Sequence, residues 1–180
     1  MLIVFSGLPG TGKTTLARAL AARTGAVFLR IDSIEQGLRN SAAGPRIGSL
    51  DDAGYRAGYA LAGDNLKLGR AVVADSVNPV KLTRDAWRGV AARAGAPLIE
   101  VEVVCSDTEE HRRRVEDRTS DIPGLGLPSW QDVLDRIYEP WTGPVFRIDT
   151  AGKSPEDSLE DLMTVIRPKV RPEGPAQSDR

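Results

Sequence analysis

The sequence predicts one α/β domain, a three-layer sandwich in which helices flank a five-stranded parallel sheet. Three observations carry that expectation. Five short apolar runs alternate with longer helix-like segments, the order expected of strands joined by helical crossovers. Each run is nearly unbroken Val, Ile, Leu or Phe, which suits strands buried on both faces. And 180 residues at 41% hydrophobic content suffice for a single core that folds alone.

The runs are Leu2–Ser6, Val27–Ile31, Ala71–Asp75, Leu98–Cys105 and Val145–Ile148. Helices are expected over Lys13–Thr24, Ser33–Arg39, Asp51–Leu68, Leu82–Ala94, Asp107–Arg118, Ser129–Tyr138 and Pro155–Arg167. Thr83 and Asp107 are placed to cap helix N-termini, and Gly25, Gly69 and Gly95 fall where left-handed C-caps belong. The domain is expected to span residues 1–167. Residues 168–180, proline-bearing and without apolar periodicity, read as a loose tail. Two segments interrupt the alternation. Asn40–Leu50 is rich in Gly, Ser and Ala, and Thr119–Pro128 has Gly or Pro at nearly every other position. The second reads as a mobile lid over residues 119–128 or, more simply, as a surface connection.

The composition excludes several classes. With 24 basic against 25 acidic residues, no long-range field attracts a nucleic-acid backbone, although a local basic patch is allowed. The single cysteine, Cys105, cannot form an internal disulfide and reads as a buried small hydrophobe. No basic-then-apolar leader and no stretch of about 20 apolar residues is present, so the expected compartment is the cytoplasm and no membrane contact is expected.

The most specific signal is Gly7-Leu8-Pro9-Gly10-Thr11-Gly12-Lys13-Thr14, which satisfies G-x-x-x-x-G-K-[ST] between an apolar run and a helix. Glycines let backbone N–H groups turn inward around an anion, and the helix N-terminus adds partial positive charge. Gly7, Pro9, Gly10, Thr11, Gly12, Lys13, Thr14 and Thr15 are therefore candidates to bind the phosphates of ATP. Lys13 is expected at the β- and γ-phosphates, and the Thr14 hydroxyl on Mg²⁺. Asp75 ends an apolar run, where it either orders the magnesium shell or caps a turn. Asp32 follows another run. It either accepts a proton from an attacking hydroxyl or caps the next helix. Parallel strands bring all of these to one sheet edge.

Arg114 and Arg118 are spaced to share a helix face at the base of the lid, where they could stack on adenine and neutralise a transferring phosphate. Arg112 and Arg113 read as a solvated face beside Glu109, Glu110 and Glu116, and His111 as solvent-facing. Tyr55 and Tyr59 either stack on a ligand ring or pack. Arg46 and Arg56 either hold an anion or face water, and Trp130 and Trp141 read as packing residues.

With these residues placed, the chain resembles the small P-loop kinases allied to polynucleotide kinases, chloramphenicol phosphotransferase, zeta toxins and gluconate kinases, over roughly residues 1–167. The segment Ile31-Asp32-Ser33-Ile34-Glu35 is similar to the one carrying their catalytic aspartate. Gly69 to Pro79, with Arg84 and Trp87, is similar to the third strand and following helix. The resemblance implies strand order 2-3-1-4-5, ATP with Mg²⁺, Arg114 and Arg118 on adenine and phosphate, and Gly152 in a loop passing the adenine edge. It implies a small-molecule hydroxyl acceptor sorted by residues 37–68 and the lid. Two other readings stay open: a nucleic-acid 5′-hydroxyl acceptor, and a regulatory ATPase with no separate acceptor.

Overall fold

The computed structural model describes residues 1–41 and 52–170. Its elements are β1 (Leu2–Ser6), α1 (Lys13–Thr24), β2 (Val27–Arg30), α2 (Ile31–Arg39), α3 (Ala53–Lys67), β3 (Val72–Asp75), α4 (Lys81–Arg93), β4 (Leu98–Val104), α5 (Thr108–Asp117), α6 (Trp130–Leu134), β5 (Phe146–Asp149) and α7 (Pro155–Val170). All five strands are parallel, in the order β2-β3-β1-β4-β5. The central strand β1 pairs Leu2 with both Val72 and Leu98, so the sheet grows outward from the most apolar segment.

Alternation along β1 builds the three layers, because successive side chains point to opposite faces. Ile3 and Phe5 face one side and pack with Leu16 and Leu20 of α1 and with Leu159, Leu162 and Ile166 of α7. Leu2 and Val4 face the other, packing with Ala62 and Leu66 of α3 and Trp87 and Val90 of α4. Among the described residues no helix is long and apolar enough to cross a membrane.

Several boundaries differ from expectation, each for a local reason. β2 stops at Arg30, and the apolar Ile31 opens α2, so Asp32 lies in the first helical turn and is not an N-cap. Thr83 is the third residue of α4, and its hydroxyl donates back to Val80 O (2.9 Å); Val80 is the cap residue. Asp107 does cap α5, accepting from Glu110 N at 2.9 Å. Ser129 is the N-cap of α6, which ends at Leu134, not Tyr138. The chain beyond is drawn away from helical geometry: Arg84 donates to Glu139 O (2.7 Å) and Pro140 O (3.2 Å), and Glu139 N donates to Pro79 O (2.7 Å). Gly25, Gly69 and Gly95 take φ of 68°, 75° and 59° at helix ends. α7 continues to Val170, three residues past the expected boundary. The rest of the predicted tail, Arg46 and most of the Asn40–Leu50 segment lie outside the described residues.

Asn78 ties the strand ends together. It is fully buried at φ 48°. Its amide donates to Phe5 O and Ser6 Oγ (both 3.1 Å), and its Oδ1 accepts from Trp87 Nε1 (3.1 Å). Its carbonyl accepts from Arg84 Nε (2.9 Å), and its N–H donates to Tyr55 Oη (3.2 Å). Arg84 and Trp87 therefore serve the fold. Asn78→Ala leaves the buried Trp87 N–H without a partner and keeps an unfavourable φ. It is expected to cost about 2–3 kcal/mol of stability by denaturant titration.

Candidate active site

The turn after β1 is compact because glycines stand where no side chain fits. A Cβ on Gly7 (φ 143°) would lie 2.3 Å from Val103 O, and one on Gly10 (φ 85°) 2.4 Å from Val115 Cγ2. Gly12, at φ 89°, delivers the chain into α1, and Leu16 N donates to Gly12 O at 3.1 Å. The loop's other side rests on α5 and the β5 turn. His111, buried rather than solvent-facing, places Nε2 2.8 Å from Pro9 O and meets the Trp130 ring edge-on at 5.1 Å. The Thr150 hydroxyl lies 2.9 Å from Thr11 O.

Two clefts open on either side of this loop. One, of about 550 Å³, is lined by Gly10, Gly12, Lys13, Thr14, Thr15, Arg114 and Thr150 together with Thr119–Asp121 of the α5–α6 connection. The other, of about 940 Å³, is lined by Pro9, Asp32, Glu35, Tyr55, Tyr59, Leu82, Ala86, Arg136 and, from the same connection, Leu125–Pro128. Lys13, Thr14, Arg30, Arg118 and Leu127 line both. The clefts therefore meet at three cations and a hydroxyl, and Asp32 opens only onto the larger one.

At that junction, charges are buried and incompletely paired. Lys13 is 7% exposed. Burial lowers its pKa below the ordinary lysine value, with Asp75 and Asp32 pulling the other way. Asp75, the last residue of β3, is 2% exposed. Burial raises its pKa, and Lys13 opposes that rise. The neighbouring Thr14 hydroxyl also favours the carboxylate anion. Yet neither Asp75 oxygen accepts a hydrogen bond of ordinary geometry. Buried polar atoms are rarely left so. Two free carboxylate oxygens beside a hydroxyl are hard donors that fit a Mg²⁺ ion and its water shell. Among the described residues no group of three or more His, Cys, Asp or Glu could hold a metal by itself, so phosphate oxygens would complete the shell.

Arg114 and Arg118 line the same smaller cleft but not from one helix face. α5 ends at Asp117, and Arg118 is extended (ψ 146°), so the pair does not share a helix face. Arg114 donates to Thr150 Oγ1 (2.8 Å) and Thr150 O (2.9 Å) and pairs with Glu110 (2.5 Å). Arg118 reaches the junction, half-buried, with its Nε unpartnered. Burial lowers its pKa, Asp32 raises it and Arg30 lowers it. Gly7 and Thr11 shape the loop and Gly152 N donates to Glu110 Oε2 (2.9 Å); none of the three lines either cleft.

Sequence reasoning passed over two residues. Arg30 stands at the end of β2 with Nε 3.9 Å from Asp32 and 4.0 Å from Asp75, and its Nη1 donates to Asp121 of the α5–α6 connection at 2.7 Å. Asp121 also pairs with Arg18, and the two arginines hold its pKa down to about 2. A guanidinium closing an otherwise apolar run was the available signal for Arg30. Tyr55 and Tyr59 both pack and line: Tyr59 meets Trp87 edge-on at 4.6 Å, and burial pushes Tyr55 up to about 12. Arg56 pairs with Asp52 at 2.8 Å on an exposed face.

The sheet order and the loop between β1 and α1 are those of the P-loop NTPase fold, and solved structures of known proteins share it. A candidate kinase from Chloroflexus aurantiacus J-10-fl superposes with a TM-score of 0.70 at 22% identity, covering 94% of this chain and 98% of its own. The Mycobacterium tuberculosis APS kinase CysC, solved with AMPPNP and APS, gives 0.63 at 20% identity over 92% and 96%. A gluconokinase from Sinorhizobium meliloti 1021 gives 0.60 at 22% identity over 94% and 97%. No curated protein matches significantly. The AAA domain family model matches residues 2–138, more than half of the sequence, and the chain belongs to that family.

Proposed function

We propose that the protein is an ATP-dependent kinase that transfers the γ-phosphoryl group to a hydroxyl of a small-molecule acceptor. The observation that carries this is the pair of clefts sharing Lys13, Thr14, Arg30 and Arg118, with Asp32 on the larger side alone. A nucleotide binder without an acceptor needs only the first cleft. The fold's likeness to a gluconokinase and an APS kinase supports the same reading.

The phosphate loop and Lys13 hold the nucleotide. Thr14 and Asp75 would hold Mg²⁺, which would supply charge neutralisation at the phosphates. The acceptor lies against Tyr55, Tyr59, Leu82 and Ala86, with its hydroxyl toward Asp32. The acceptor oxygen forms a bond to the γ-phosphorus while the bond to the ADP oxygen breaks, its electron pair leaving on ADP. Asp32 receives the hydroxyl proton. Phosphoryl transfer is mainly positioning and charge stabilisation, so Asp32 contributes chiefly by orientation.

Incubation with ATP, Mg²⁺ and a metabolite panel, read by mass spectrometry, is expected to yield a product heavier by one phosphoryl group. In Asp32→Asn that product should form on the order of 100-fold more slowly with ATP binding retained. Full-speed hydrolysis with no phosphorylated product would point instead to a regulatory ATPase. Full activity in Asp32→Asn would remove the base assignment.

A further inference from the structure

We propose that Arg30 is a catalytic residue whose guanidinium binds the phosphoryl group in flight between the two clefts. This rests on the transfer reading above and assigns it a group that the phosphate-loop motif does not contain.

An arginine at the end of a buried strand carries a desolvation cost that is ordinarily met by hydrogen bonds. Arg84 illustrates the ordinary case. It is 3% exposed and spends its donors on four backbone carbonyls, those of Asn78, Pro79, Glu139 and Pro140, at 2.7–3.2 Å. Arg30 differs. Its side chain is 12% exposed, yet the only hydrogen bond it makes among the described residues is from Nη1 to Asp121. Its Nε is buried without a partner, because Asp32 and Asp75 stand at 3.9 and 4.0 Å, close enough to balance charge and too far to accept. Arg30 is thus compensated in charge and unsatisfied in donors. A guanidinium has five N–H donors in a planar fork suited to phosphoryl oxygens.

Place decides what it binds. Arg30 lines both clefts, as do Lys13 and Arg118, and no other charged residue among those described does so. A group passing from one cleft to the other crosses these three cations. The two carboxylates below Arg30 orient it, and Asp121 grips its outer edge, so the lid and the cation are held as one unit. Arg30 moves no proton: its donors bind the non-bridging oxygens as the bond to ADP breaks and the bond to the acceptor forms.

The test needs no acceptor. Binding of ADP, and of ADP with aluminium fluoride as a mimic of the phosphoryl group in transfer, is measured calorimetrically with Mg²⁺ on the full chain. The wild type is expected to prefer the mimic by on the order of 100-fold. Arg30→Gln should keep ADP affinity within about threefold and lose most of that preference. Asp121→Asn, which weakens the contacts to Arg30 and Arg18 and leaves Arg30 itself in place, should retain it to within about threefold. Arg30→Lys keeps the charge without the fork and should fall about 10-fold short of wild type, which decides the matter if Arg30→Gln folds poorly.

An undiminished preference in Arg30→Gln or Arg30→Lys overturns the proposal. So does an Asp121→Asn protein that loses as much as Arg30→Gln, because Arg30 then acts through the lid alone. A wild type that binds both ligands equally overturns the transfer reading itself, and this assignment with it.

Discussion

Lys13→Ala is expected to lower phosphoryl transfer by on the order of 1000-fold. Lys13 is the first residue of α1, so its ammonium sits where the helix N-terminus and the loop amides already favour an anion. It is 7% exposed and lines both clefts, so in the proposed transfer it would meet the leaving phosphate and the group that departs. Stability should respond differently. Burial lowers the Lys13 pKa, so the folded state binds fewer protons than the unfolded one between that lowered value and 10.5. Stability therefore rises with pH across that window, and below it the charged lysine is a cost. Alanine removes that cost and the counter-charge of Asp75 together. The melting temperature is expected to move only a few degrees while activity collapses. A variant that unfolds outright would instead make Lys13 a structural residue.

Much of the architecture was legible because local signals agreed. Leu2–Ser6 and Lys13–Thr24 are found at the predicted residues, since the apolar run, the loop motif and Gly25 mark the same boundaries. The strand order, by contrast, came with the family resemblance and not from periodicity. The sequence misled where a local pattern served a tertiary purpose. Ile31 extends an apolar run but opens a helix, packing into the core with Trp87 beside Asp32. The crowded charges of α5 do form a solvated face, with Glu109, Arg112, Arg113 and Glu116 exposed. His111 does not share it, because the missing side chain of Gly10 lets His111 and Val115 close under the loop. Asp121 had no legible role, because its partners Arg18 and Arg30 lie 103 and 91 residues away along the chain. Arg114 and Arg118 were paired by helical spacing, which failed when α5 stopped one residue short.

Asp75→Asn is expected to separate stability from function in the opposite sense to a typical core substitution. The carboxylate is 2% exposed, and neither oxygen accepts a hydrogen bond of ordinary geometry. Its pKa is raised, burial being the largest cause. An acid with a raised folded pKa binds more protons when folded than when unfolded, between 3.8 and the raised value. Stability falls as pH climbs through that window, and the penalty is fully present above it. Asparagine, similar in shape and uncharged, removes the penalty, so the nucleotide-free variant should melt at or above the wild-type temperature at neutral pH. Its stability should also vary less with pH on the acid side. Catalysis should drop on the order of 1000-fold, and the Mg²⁺ concentration for half-maximal rate should rise about 10-fold, because a neutral amide oxygen replaces the anion facing the metal. An unchanged magnesium titration would remove Asp75 from the metal shell. A sharp loss of stability would show that Lys13 and Arg30 need its charge more than burial penalises it. A melting temperature at or above wild type together with the weakened magnesium response would mark Asp75 as a carboxylate held buried, at a cost to folding, for a cation the nucleotide brings, in a site shaped for function over stability.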